Sequence, residues 1–94
     1  MKRIDLIGHG PIISDKQTGE LIYSQIKAIL DKGESVDIDL SRIKSMATFC
    51  AKQIFGKLYS EMGPNAFFER ITIRNATDDM KSIIRIGIQN AIEE

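Results

Sequence analysis

Two short segments of this chain alternate strictly between apolar and polar side chains: Val36-Asp37-Ile38-Asp39-Leu40 and Arg70-Ile71-Thr72-Ile73-Arg74. A β-strand turns successive side chains to opposite faces, so each segment has one apolar and one polar face. The stretch between them carries apolar residues at helical spacing, and so do the stretches on either side. Helical crossovers make neighbouring strands parallel, with right-handed connections. Parallel strands covered on both faces read as continuous apolar runs, and these do not. The helices are therefore expected on one face, over Ile4, Leu6, Val36, Ile38, Leu40, Ile71 and Ile73. Asp37, Asp39, Thr72 and Arg74 belong to the opposite face, which is wet or lies against a partner.

The remaining elements follow from local signals. Ile4-Asp5-Leu6-Ile7 reads as a short strand, ended by Gly8-His9-Gly10-Pro11, and Ile12-Ile13 as a short extended piece. Ser14-Asp15-Lys16-Gln17 matches a capping box, with Ser14 as N-cap. The helix it opens carries Leu21, Ile22, Ile26, Ile29 and Leu30 and stops at Gly33. Gly19 inside it has no local explanation. A second helix runs from about Thr48, its expected N-cap, to Met62, with Ala51, Ile54, Phe55, Leu58, Tyr59 and Met62 as the apolar stripe. Gly63-Pro64-Asn65 ends it, and Phe67-Phe68 leads into the next strand. The last helix starts near Thr77, with Asp78 and Asp79 where the helix dipole favours anions, and Gly87 marks a close approach on its buried face.

The 94 residues fit a single domain, 1–94, with one core and thin reserves. At 43% apolar and 28% charged residues the chain is neither disordered nor low-complexity. Lys plus Arg and Asp plus Glu balance at 13 each, without the basic excess of a nucleic-acid binder. No apolar run approaches the ~20 residues of a membrane span. The N-terminus lacks the apolar core of a signal peptide, and one cysteine forbids an intrachain disulfide, so a cytoplasmic location is expected. Zero net charge and a thin core leave a homodimer open.

The candidate site is the turn from strand into second helix, Lys44 to Cys50, together with the polar residues Lys52, Gln53 and Lys57 behind it. Cys50 at a helix start invites a nucleophile reading, since such positions lower thiol pKa values. The single histidine, His9, is remote in sequence and lies in a Gly-rich turn, so no catalytic pair can be written. One cysteine and one histidine do not make a zinc site. Gly8 and Gly10 lack the third glycine and the lysine of a nucleotide-binding loop. Asp5, Asp37 and Asp39 could hold a hard cation, but Arg3, Arg70 and Arg74 reach the same face, and a lattice of cross-strand ion pairs is the expected outcome. No catalytic residue, metal or cofactor is assigned.

Asp37-Ile38-Asp39-Leu40, a spacer, a hydroxyl residue opening a helix, then an alternating strand and a final helix resemble a STAS domain. This is the fold shared by anti-sigma-factor antagonists and the cytosolic tails of sulfate transporters. Ala47-Thr48-Phe49-Cys50-Ala51-Lys52-Gln53-Ile54-Phe55-Gly56-Lys57-Leu58 and Ile71-Thr72-Ile73-Arg74-Asn75-Ala76-Thr77 are more similar to a bacterial STAS-like family without assigned function. The resemblance implies an α/β fold with strand–helix alternation, a small, mostly parallel sheet and helices mainly on one face. It also implies a protein partner, a kinase-like ATPase or another signalling protein. In the antagonists an Asp-Ser-Ser-Gly-like turn carries the phosphorylated serine. In register, those four positions hold Ala47, Thr48, Phe49 and Cys50 here, so the phospho-acceptor is missing. Thr48 and Ser45 remain as candidate phosphorylation positions.

Three functional classes follow. The first is a non-enzymatic interaction module contacting its partner through Ser45, Thr48, Phe49, Cys50, Lys52 and Gln53. The second is a small enzyme using Cys50 or a carboxylate cluster, and the third a self-assembling structural subunit. Phe49 separates two versions of the first: exposed, it is an aromatic anchor, and turned inward it is core.

Overall fold

The two alternating segments lie side by side, parallel, in the register their patterns require. A computed structural model describes residues 1–93 of the chain. Strand β3 (Val36–Asp39) sits between β1 (Lys2–Asp5) and β5 (Ile71–Arg74), parallel to both. Ile4, Ile38 and Ile73 stand level across the sheet, and so do Asp5, Asp39 and Arg74. A slip of one residue would turn Val36 and Ile38 to the polar face, so burial pins the register. A second, two-stranded sheet pairs β2 (Ile12–Ile13) with β4 (Ser45–Met46), also in parallel.

In the larger sheet, spatial order follows chain order, so both crossovers run in the same direction. Crossovers of one hand running in one direction place their helices on one face. Helix α1 (Lys16–Asp31) makes the first. The second comprises α2 (Thr48–Ala51), a π-helical segment Lys52–Gly56, and α3 (Lys57–Arg70), and α4 (Asp78–Ile92) follows β5. Val36, Ile38, Leu40 and Ile71 pack there in one core with Ile22, Ile26, Ile54, Phe55, Leu58, Met80 and Ile84. The α/β class, the parallel sheet and the one-sided helices are as the sequence implied.

The opposite face differs from expectation in degree. Asp37 and Asp39 are not wet: they are 8% and 3% exposed. Arg3 pairs with both Asp5 and Asp39, and Arg74 pairs with Asp37. The expected lattice thus covers the carboxylates. Arg70 is not part of it. Its guanidinium donates to the carbonyls of Leu30 (2.5 Å) and Glu34 (2.9 Å), where α1 ends and carbonyls lack helical partners.

Four local expectations need correction. The first strand stops at Asp5, because Leu6–His9 form a 3₁₀ turn that buries Leu6 and is closed by Gly10 (φ 96°) donating to Ile7. The N-cap of α1 is Asp15, whose carboxylate accepts from the Thr18 amide at 3.1 Å, one residue beyond Ser14. Thr48 is not a cap either. Ala47 occupies that position, with a methyl that can accept no bond, and its own N–H is held by the carbonyl of Ile13 at 2.8 Å. Finally, Gly63 (φ 81°) ends the first part of α3, but the chain re-enters a helix at once, with Pro64 at its first position. Phe67 and Phe68 therefore lie on helix rather than on an extended lead into β5. The stop at Gly33 (φ 81°) and the Thr77 cap on Met80 are as expected.

Two glycines record close packing. A Cβ on Gly87 would lie 2.6 Å from the Ala51 carbonyl carbon, and one on Gly56 would lie 2.6 Å from the Gly87 oxygen. Helix α4 thus crosses the π-helical segment backbone to backbone. Gly19, unexplained locally, faces Gln53: a Cβ there would lie 2.0 Å from its Oε1.

Candidate functional site

Positions 49, 52, 53, 57 and 60 form one helical stripe. That stripe leaves the core and faces α1. Phe49, Lys52, Gln53, Lys57 and Ser60, with Lys16 from α1 and Ala91 from α4, line an open pocket of about 430 Å³. Phe49 is 52% exposed, which excludes the core reading for this ring. The lining holds the ammonium groups of Lys16, Lys52 and Lys57 and, among the described residues, no carboxylate.

Neighbouring contacts fix the pocket wall. Gln53 donates through Nε2 to the Lys16 carbonyl at 3.0 Å and rests its oxygen against Gly19. The Lys57 ammonium sits 4.4 Å from the Tyr23 ring centroid. Tyr23 in turn donates to Glu61 at 2.5 Å. Burial, then the carboxylate of Glu61, pushes the Tyr23 phenol up to about 12, so it stays a donor at neutral pH. An amphipathic wall with an aromatic anchor and a cationic rim can hold an apolar side chain flanked by acidic groups.

The other sequence candidates fall outside this pocket. Ser45 and Thr48 are exposed beside it without lining it. Cys50 is fully buried and contributes no surface, contrary to its place among the expected contact residues. Its Sγ lies 3.6 Å from the Asp15 carbonyl, and burial pushes the thiol up, opposite to an activated nucleophile. His9 bonds Gln25 at 3.2 Å rather than approaching Cys50. Lys16 and Ala91 were missed, and Ser60, on the polar face of the same helix as Lys52, Gln53 and Lys57, was not taken into the site. Ser60 continues the helical stripe and was legible in principle, whereas Lys16 and Ala91 arrive only through packing of α1 and α4.

The carboxylates gather elsewhere, at the C-terminal end of the three-stranded sheet. Asp39 accepts from the Ser41 amide (2.7 Å) and hydroxyl (2.6 Å), from Asn75 (3.2 Å), and from Arg3. Arg42 and Asn75, at φ 66° and 58°, shape the turns around it. Among the described residues no three His, Cys, Asp or Glu side chains group as metal ligands. The Ser41 bonds above all, then Asn75 and Arg3, hold the Asp39 carboxyl at about 2, below its ordinary 3.8. A depressed carboxyl pKa favours the folded state above the unfolded value, and that contribution is lost as pH falls through the folded value. The urea midpoint is therefore expected to fall between pH 4 and pH 2. Asp39→Asn should flatten that fall. Equal pH dependence in both proteins would refute the assignment.

Residues 18–81 match the family described as a STAS-like domain of unknown function (DUF4325). The matched region begins in α1 and ends in the first turn of α4, so it contains β3, the π-helical segment and β5. No curated protein and no solved structure matches the chain. With its parallel sheet, one-sided helices and a match over most of its length, the chain belongs to the STAS-like family of unknown function.

Proposed function

We propose that this domain is a non-enzymatic protein-interaction module whose docking surface is the Phe49 pocket. The observation that carries this reading is a half-exposed aromatic ring at a helix start, ringed by Lys16, Lys52 and Lys57. Leaving such a ring in water forgoes burial energy, and aromatic anchors supply much of the affinity of small interfaces. The partner offers carboxylates around an apolar anchor. The family resemblance directs attention to a kinase-like ATPase or another signalling protein. Phe49 stands where regulatory relatives carry the phosphorylated serine, so contact here is not switched at that position. The exposed hydroxyls of Thr48 and Ser45 are the nearest acceptors for a regulatory phosphate.

Phe49→Ser tests this. The ring is only half buried, so folding stability should fall by about 1 kcal/mol or less. Partner affinity should fall by at least about thirtyfold, the loss of a typical aromatic hot spot. Affinity capture from the native cell compares proteins retained by the wild type with those lost by Phe49→Ser, beside thermal melts of both. Retention of the same proteins by both would defeat the reading, and so would a drop in melting temperature well beyond the roughly 4–8 °C that 1 kcal/mol makes in a domain of this size.

A further inference from the structure

A second surface lies on another side of α4. Its walls are Tyr59, Phe67 and Phe68 from α3 and Ile84, Ile88 and Ile92 from α4, enclosing an open groove of about 470 Å³. Phe68 and Ile92 are 69% and 53% exposed, an unusual cost for so small a domain. Lys81, Arg85 and Gln89 complete the α4 side. Among the described residues neither Lys81 nor Arg85 has an ion-pair partner, and no carboxylate lines the groove.

We propose that this groove binds an acidic amphipathic helix of another protein. Two features select that occupant. The lining residues of α4 run from Lys81 to Ile92, roughly 16 Å of helix, room for about three turns of a ligand helix lying alongside. The unneutralised cations flank an apolar floor, so a matching helix carries leucine-like anchors with Glu or Asp beside them. A second copy of this chain fits worse. A symmetric contact through the groove brings Lys81 and Arg85 of both copies into one interface with no lining carboxylate to neutralise them. A head-to-tail contact onto the Phe49 pocket meets Lys16 and Lys57, again cations on cations. The inference does not depend on the Phe49 reading.

The test is an amide-resolved NMR titration of the full chain with a roughly 16-residue Glu/Ala/Leu peptide, leucines at helical spacing, and with its Lys-for-Glu counterpart. Saturable shifts at Phe68, Ile84 and Ile88 are expected with the acidic peptide, and about tenfold weaker binding with the basic one. Arg85→Glu should weaken the acidic peptide about tenfold. Phe68→Ser, at an exposed position, should abolish the shifts with the fold intact. Phe49→Ser should leave them unchanged. Equal binding of both peptides, shifts confined to the Phe49 pocket, or no saturable shift would overturn the proposal. So would a dimer in sedimentation equilibrium that Phe68→Ser dissociates, because the groove would then be filled by a second copy.

Discussion

Gly87→Ala is expected to lower the melting temperature by roughly 8–16 °C, although alanine is the better helix former. The added methyl would lie 2.6 Å from the Ala51 carbonyl carbon, 2.7 Å from the Lys52 nitrogen and 2.8 Å from the Ala51 Cβ. These atoms are backbone or the first atom of a side chain, so none can swing aside. Relief requires moving α4 away from the π-helical segment. Overpacking of this kind costs about 1–3 kcal/mol and sometimes more, and backbone obstruction places it at the top of that range. The helix-propensity gain of roughly 1 kcal/mol offsets part of it. A net loss of about 2 kcal/mol is a large share of the roughly 5–14 kcal/mol that holds a domain of this size. Gly56→Ala meets the Gly87 oxygen at 2.6 Å and should act similarly. The double substitution should cost less than the sum, because one displacement of α4 relieves both. Circular-dichroism melts of the three variants give the answer. An unchanged or raised melting temperature for Gly87→Ala would show that the helices do not cross at this contact.

Phe67→Ala is the second substitution with a large expected effect, about 3–5 kcal/mol. Phe67 is 1% exposed, and its ring centroid lies 5.3 Å from those of Tyr59 and Phe68. Truncation removes a wall between the second part of α3 and the core, and Phe67 is the buried side chain of the short segment 64–70, which is otherwise tied down by the bonds of Arg70 to the end of α1. Its neighbour is the control. Phe68 is mostly exposed, so Phe68→Ser should change stability by well under 1 kcal/mol. Urea midpoints measure both. Comparable losses at the two positions would mean that the pair is not divided between inside and outside as described.

Period-two alternation made β3, β5 and their buried face legible, because a sheet buried on one side tolerates a single register. Thr77 and Gly33 were legible because caps and stops act through local chemistry. The misreadings sit where a distant contact decides. The start of the second helix depends on the bond from the Ala47 amide to Ile13, and nothing near Thr48 announces it. Gly63-Pro64 has two local meanings, the end of one helix or the hinge between two. The seven residues before β5 are too few to show a helical period. Gly19 made no sense until α1 lay against Gln53. For the site, one helix carried Phe49, Lys52, Gln53 and Lys57 in its spacing, whereas Lys16 joins only after folding. Cys50 was grouped with the contact residues as a sequence neighbour of Phe49, but the two share a turn and not a face of the helix.

The central position of β3 has a kinetic consequence. It pairs on one side with the start of the chain and on the other with a strand that begins at Ile71. Neither pairing closes locally: each waits for a helical crossover and bears the entropy of a long loop. Folding of such a topology is slower than that of a helical bundle of equal size. During synthesis Lys2–Asp5 can find its partner once β3 has emerged from the ribosome, but the β3–β5 side stays open until Arg74 is out. The nascent chain thus passes through a stage in which two strands are paired and the third side of the core is missing.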